Sequence, residues 1–282
     1  MLDDVIDFLE PYTYLIIGSV KALIIAGALL GIVPALVWLE RRLMGRFQVR
    51  LGPNRVGPFG LGQPISDSIK LLFKESIIQS SADKFLFHLA PAIVVFTAIV
   101  TFAAIPFGEP ITVFGQEIGL WAANLNIGLL FVFAISGMGV YGMVLAGLSS
   151  NNKYSLMGGL RSSAQMISYE LTLGLAALSI IVLTGSLNLI DMVNSQNSYP
   201  NILIQPLAFL LFFIAGVAET NRAPFDLPEA EQELVAGFHT EYTGMKFAMF
   251  FMGEYINMVT MSALVTLLFF GGWNAYGIPV WP

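Results

Sequence analysis

The sequence contains no cysteine, and only two of its 282 residues are histidine. Without cysteine there can be no disulfide, no thiolate metal site, no iron–sulfur ligation and no cysteine nucleophile. With His88 and His239 alone, a two-histidine haem or a three-histidine metal centre is not expected. Charge is scarce as well. Only 11% of residues are Asp, Glu, Lys or Arg, against about 25% in soluble domains. Hydrophobic residues make up 56%, and the mean hydropathy is +0.75. A single water-soluble globule does not fit these figures. The first residues are acidic (Asp3, Asp4, Asp7, Glu10), whereas a cleavable signal opens basic, so none is expected. The chain reads as a polytopic membrane protein whose surrounding redox or nucleotide chemistry belongs to other chains.

Six stretches approach the roughly 20 apolar residues needed to cross a hydrocarbon core about 30 Å thick. They are Tyr14–Leu39, Phe85–Phe107, Leu125–Leu148, Leu160–Leu183, Ile202–Ala218 and Met245–Phe270, the fifth being short. No repeat, low-complexity tract or soluble domain interrupts them, so residues 1–282 are expected to form one all-α membrane domain. All thirteen Lys and Arg residues except Lys21 fall on alternate connections. Residues 40–84 form a basic loop, Lys153 and Arg161 flank the next such connection, and Arg222 and Lys246 flank the third. The opposite connections carry Glu109, Glu117 and Asp191 and no base. The positive-inside rule then places the N-terminus outside and the long loops in the cytoplasm.

Two loops are unusual. Gln63–Glu75 has Pro64 in a first-turn position, with Ile65, Ile69, Leu72 and Phe73 on one face and Asp67, Lys70 and Lys74 on the other. This suits an amphipathic helix in the membrane interface. Residues 219–243 are instead acidic, with Glu219, Asp226, Glu229, Glu231, Glu233 and Glu241. Beside anionic lipid a cytoplasmic loop ordinarily favours bases, so this one is expected to face protein or water.

Glu170 and Glu254 lie within the fourth and sixth spans, where a charge costs at least about 2.5–3.5 kcal/mol and must face protein or water. Burial and neighbouring charge tune such carboxyls for proton transfer. The alternative is a protonated carboxyl that merely bonds a neighbouring helix. For Glu229, Glu231 and Glu233 the alternative is a solvated face. Glu40-Arg41-Arg42 reads first as an interfacial anchor closing the first span. Arg46, Arg50 and Arg55 follow among Gly52, Pro53, Gly57, Pro58, Gly60 and Gly62, whose tight turns should order the loop. Ordered arginines there can dock an acidic partner, line a polar cavity or hold lipid phosphates. His88 reads as a packed or interfacial residue. His239 can shuttle protons, although an essential role is not expected.

Four blocks, in order, resemble one family. LERRLMGRFQVRLGPNRVGPFG at Leu39–Gly60 resembles the first cytoplasmic loop of the quinone-site membrane subunit of respiratory complex I, the NuoH family. SSNNKYSLMGGLRSSAQMISYE at Ser149–Glu170 resembles that family's entry into its fourth span. AETNRAPFDLPEAEQELVAGFHTEY at Ala218–Tyr242 resembles its long acidic loop, with MGEYINM following at Met252–Met258. The resemblance implies a subunit joining the peripheral and membrane arms of a proton-pumping NADH:quinone oxidoreductase. Its substrate would be ubiquinone or menaquinone, with no metal, flavin or haem of its own. FMN and iron–sulfur clusters would sit in partner subunits. Those partners would be the peripheral-arm iron–sulfur and quinone-site subunits, with small membrane-arm subunits alongside, in a bacterial inner membrane and without nucleic acid.

Residue by residue, the resemblance assigns Glu40, Arg41, Arg50 and Phe59 to the quinone chamber's mouth and docking loop. Arg222, Phe225 and Asp226 would face the cavity. Glu170, Glu219, Glu229, Glu231, Glu233, Glu241 and Glu254 would form an acidic path into the membrane arm, with no catalytic residue in this chain. The family ordinarily continues with two further helices joined by a basic motif, whereas this sequence closes at residues 276–282 just past the sixth span. Competing readings are a same-family subunit of a ferredoxin- or hydrogenase-linked complex, a stand-alone cation or proton transporter, and a structural anchor. The transporter lacks Gly/Pro-broken helix pairs in repeated halves, and an anchor gains nothing from buried acids.

Overall fold

The computed structural model describes residues 2–113, 116–197 and 199–274, with side chains for all of these but 2–17, 113, 116–117 and 231. Asp3, Asp4, Asp7, Glu10, Glu117, Glu231 and the closing 276–282 therefore lie, in side chain or entirely, outside the described residues. The protein is a helix bundle, as its hydropathy predicts. In chain order the elements are α1 (Leu2–Phe47), α2 (Gln63–Phe73), α3 (Lys84–Phe102), a hairpin of β1 (Ile111–Val113) and β2 (Gln116–Ile118), α4 (Gly128–Ser149) and α5 (Lys153–Thr184). Then come the short α6 (Leu189–Asn194) and α7 (Asn201–Ile204), α8 (Pro206–Glu219), α9 (Glu231–Leu234) and α10 (Met245–Phe269). The hairpin, with Ile111 opposite Ile118, is invisible to hydropathy, because three-residue strands leave no periodic signal.

Among the described residues, five helices are long and apolar enough to span a membrane. The fifth expected span, Ile202–Ala218, is not one continuous helix. It breaks at Gln205 (φ −131°, ψ 64°) into α7 and α8. The cause is Pro206, which has no N–H to donate and disfavours helical geometry in the residue before it. The 14 residues of α8 reach only about 21 Å at 1.5 Å per residue.

Small residues set the helix spacing. A Cβ on Gly142 of α4 would lie 2.5 Å from Val94 Cγ2 of α3, and one on Gly253 of α10 would lie 2.5 Å from Val94 Cγ1. Val94 is thus clasped between two glycine-bared backbones, as expected where dispersion rather than hydrophobicity drives helix association. Phe87, Ala90, Val94, Ala98 and Phe102 form the buried face of α3. Around it lie two further groups, one on Leu129, Leu173, Phe212 and Leu264 and one on Leu29, Ile105 and Ile256.

The alternate connections meet at the same end of the bundle. Asp83 N–H donates to Ser149 O (3.1 Å), Ser149 Oγ and the Tyr242 hydroxyl are 3.2 Å apart, and Ile77 N–H donates to Thr243 Oγ1 (3.3 Å). At the other end, Asn188 bonds Asn124 (2.9 Å) and Lys21 Nζ donates to Gly119 O (3.0 Å). Lys21 therefore reaches the hairpin connection rather than sitting at mid-membrane, and Lys21 to Glu40 spans about 28 Å of helix, close to the hydrocarbon thickness. α1 stands apart from the bundle, with Leu29 its only fully buried side chain among those described. It leaves clefts on both sides.

Candidate functional site

α2 forms where the amphipathic pattern predicts, ending at Phe73. Its apolar residues Ile65, Ile69, Leu72 and Phe73 point outward and are exposed, fitting a helix that rests in the interface. Of its polar residues, Asp67 and Gln63 are half-buried toward the bundle, while Lys70 and Lys74 are exposed. Asp67 receives the Arg41 guanidinium from α1 and Gln63 Nε2 (3.0 Å) from its own first turn. Gly244, with φ +62°, places the start of α10 against the other end of α2, where a Cβ would come 3.2 Å from Lys74 O.

Between α1, α2 and α10 lies a cavity of about 470 Å³. Its wall is largely aliphatic and aromatic, including Leu30, Val37, Leu71, Phe247 and Phe251. Arg41, Asp67 and Tyr255 supply polar groups, a composition typical of small-molecule sites.

Behind Tyr255 is a charged cluster. The Glu40 carboxylate accepts from Arg222 Nη1 (3.2 Å) and from the Tyr255 hydroxyl. Arg222 also stacks over the Tyr255 ring, 4.6 Å from its centroid. Burial alone would lower the Arg222 pKa, but the Tyr255 hydroxyl and the charges of Glu40 and Glu254 outweigh it and raise the pKa overall. Glu254, the residue before Tyr255, is 7% exposed and interacts electrostatically with Glu229, Arg222, Asp226 and Glu40. Glu229 in turn lies 3.0 Å from His239 Nε2.

A second acid pair comes from α5 and the end of α8. Glu219, 3% exposed at the end of α8, has Oε2 without a hydrogen-bond partner among the described residues and interacts electrostatically with Glu170. Glu170 approaches α4 at Gly137, where a Cβ would lie 2.7 Å from its Oε1. Gln165 holds the intervening loop by donating to Ala218 O (2.9 Å) and Phe225 O (2.7 Å), and the Phe225 ring leans on Tyr169 at 5.4 Å.

The structure thus brings Glu40, Arg222, Asp226, Glu229 and Glu254 into one neighbourhood and Glu170 with Glu219 into another. The remaining expected residues lie elsewhere. Glu233 pairs with Arg161 at the surface (2.7 Å), and Glu241 accepts from Asn152 (2.7 Å). Arg50 is exposed and bonds Gln48 (2.6 Å). The Phe59 ring is exposed, while its carbonyl accepts from Arg42 (2.8 Å) and Trp38 (3.2 Å), pinning the loop to the end of α1. The Glu231 side chain lies outside the described residues.

Sequence reasoning gave no site role to Tyr255, Gln165 or Lys246. The Lys246 ammonium is buried 5.1 Å from the Phe87 centroid. A buried polar side chain on an apolar helix was the available signal for each.

Comparison with known proteins agrees with the resemblance in the sequence. The family model described as NADH dehydrogenase matches residues 20–281. The chain is 52% identical over 263 residues to the second H subunit of the NADH-quinone oxidoreductase of Syntrophobacter fumaroxidans, covering 93% of this chain and 80% of that one. It is 54% identical over 246 residues to the NADH-quinone oxidoreductase H subunit of Protochlamydia amoebophila, covering 87% and 76%. To NADH-quinone oxidoreductase subunit 8 of Thermus thermophilus it is 52% identical over 266 residues, covering 94% and 72%.

Proposed function

The chain belongs to the NADH dehydrogenase family, among the H subunits of NADH-quinone oxidoreductases, and on that premise we propose that it forms the membrane end of the quinone chamber and couples quinone reduction to proton translocation. The observation that carries this reading is the continuity from the cavity between α1, α2 and α10 to the charged cluster behind it, with Tyr255 belonging to both. The apolar wall suits an isoprenoid tail. Arg41, Asp67 and the Tyr255 edge suit a quinone headgroup passing toward the peripheral-arm subunits that reduce it.

A change of charge in that chamber reaches the acids electrostatically, because Coulomb coupling strengthens where water is excluded. Glu40, Arg222, Asp226, Glu229 and Glu254 would respond first, and Glu219 with Glu170 would carry the response toward the membrane arm. Arg50 and Phe59 would serve the docking loop, and Glu231, Glu233 and Glu241 its acidic rim. The basic loops would face the cytoplasm of a bacterial inner membrane, where the iron–sulfur partners dock.

Filling the cavity tests the reading. Ala248→Trp in the assembled complex should lower NADH:quinone turnover at least about tenfold, since overpacking blocks the wall. Electron transfer from NADH to a water-soluble acceptor should persist. Unchanged quinone turnover would refute a quinone path here.

A further inference from the structure

His239 is not needed to explain the chamber or the acids, yet the structure sets it between them. It is 6% exposed, in the turn Gly237–His239, and its Nε2 lies 3.0 Å from Glu229 Oε1. Aromatic rings enclose the imidazole: Phe238 at 5.0 Å, Phe247 at 5.2 Å and Phe251 at 6.0 Å between centroids. Phe247 and Phe251 also line the cavity between α1, α2 and α10. One layer of rings therefore separates His239 from the cavity, while Glu229 on its other side acts electrostatically on Glu254.

We propose that His239 exchanges a proton with Glu229 and so sets whether an ion pair or a neutral pair faces Glu254. This rests on the chamber reading above and names a group in it. In the exchange the Nε2–H bond breaks and an O–H bond forms at Glu229 Oε1. An imidazolium–carboxylate pair becomes a neutral imidazole and a neutral carboxyl, with no net charge created. Glu229 then ceases to repel a carboxylate at Glu254, and the imidazolium charge that offsets it is lost in the same step, so the field at Glu254 changes by the dipole of the pair.

The other ionisable groups on the surrounding elements are engaged elsewhere. From α5, Arg161 pairs with Glu233 and Lys153 lies over the Tyr154 ring. On the loop, Glu241 accepts from Asn152 and the Tyr242 hydroxyl meets Ser149. From α10, Lys246 sits over Phe87 and Tyr255 bonds Glu40. Asp226, like Glu229, acts on Glu254. Among the described residues the ion-pairing partner of His239 is Glu229.

The test uses the assembled complex in sealed membrane vesicles. His239→Gln retains a donor toward Glu229 and most of the side-chain volume but cannot carry the proton. The expected result is a shift of the pH profile of quinone reduction by about one unit and at least a twofold loss of protons moved per NADH. Glu229→Gln should give the same profile, and the double variant no more than either alone. A His239→Gln complex with the parent profile and the parent proton ratio would overturn the proposal, because a packing role alone is satisfied by Gln. Should that variant fail to assemble, Glu229→Gln decides alone, and a parent profile there overturns it equally. Failure of the chamber reading would show separately, as quinone turnover indifferent to Ala248→Trp.

Discussion

Glu40, two turns before the end of α1, and Tyr255 in α10 are joined by a hydrogen bond from the tyrosine hydroxyl to the carboxylate, and Arg222 completes the contact at 3.2 Å. α1 packs loosely elsewhere, so this contact and the Arg41–Asp67 pair fix where it stands relative to α10 and α2. Both lie at the polar end of the same cavity. Of the residues in these contacts, Arg41, Asp67 and Tyr255 line the cavity, where they would meet a headgroup.

Glu40→Gln should separate these roles. A partly exposed ion pair contributes about 1 kcal/mol or less, so the complex should assemble and its melting temperature should move by only a few degrees. The KM for quinone should rise several-fold, because Arg222 loses its counter-charge and the amide offers one acceptor oxygen where the carboxylate served both Arg222 and Tyr255. Steady-state kinetics beside a thermal melt check both halves, and an unchanged KM contradicts the assignment.

Gly137→Ala probes Glu170 without touching it. The added methyl would fall 2.7 Å from Oε1, the far end of a flexible side chain, so Glu170 must swing away while α4 and α5 keep their packing. Proton translocation per NADH should fall at least about twofold, with assembly retained. Gly174→Ala, one turn beyond Glu170 on α5, meets nothing within 4 Å and is the control. It should leave translocation intact and, by helix propensity, cost nothing in stability.

Much of this was legible in the sequence. Apolar runs and the alternation of Lys and Arg give the spans and the end at which the loops gather, because the bilayer imposes a single length and charge rule on every helix. The amphipathic period of Gln63–Phe73 gives α2, and the pairing of Glu170 and Glu254 with neighbouring protein follows from the cost of charge in lipid. What sequence order cannot supply is which acids share a neighbourhood. Glu229 and Glu233 are one helical turn apart in number, yet one faces buried His239 and the other a surface arginine. Between them the chain turns at Ala230 (φ +33°), and beyond them residues 235–237 fold back against Pro228. There Gly237, at φ +54°, lies so close to Pro228 that a Cβ would come 1.8 Å from its carbonyl oxygen. The break at Gln205 follows from Pro206 and was readable, but the apolar run conceals it.

The surface pair predicts its own silence. Glu233→Gln removes a partner of Arg161 where the Glu233 side chain is 64% and the Arg161 side chain 37% exposed, so stability should change by less than about 0.5 kcal/mol. Proton translocation should stay at the parent level. Glu254→Gln, at a buried site amid four charged groups, should instead lower translocation severely. Equal effects from the two would dissolve the distinction between the buried cluster and the rim.

Tyr242 carries an alkaline limit. Burial pushes its phenol from the ordinary 10.0 up to about 12, against the weaker opposing pull of the Ser149 hydroxyl. The folded state therefore holds this proton more tightly than the unfolded chain does. Its contribution is complete below pH 10 and is lost as pH rises from about 10 toward 12. Tyr242→Phe should cost about 1 kcal/mol at neutral pH through the lost hydrogen bond and should flatten that alkaline decline. Melting curves of the detergent-solubilised complex between pH 8 and about 12 show both effects.

The central claim is that quinone reaches the charged cluster through the cavity between α1, α2 and α10. Labelling the native complex with a photoreactive quinone and mapping the modified peptides tests it most directly. The label should fall on Leu71, Phe247, Phe251 or their neighbours and should be displaced by excess unlabelled quinone. Displaceable labelling confined to the opposite cleft, around Ile25, Ile105 and Trp273, would contradict the account.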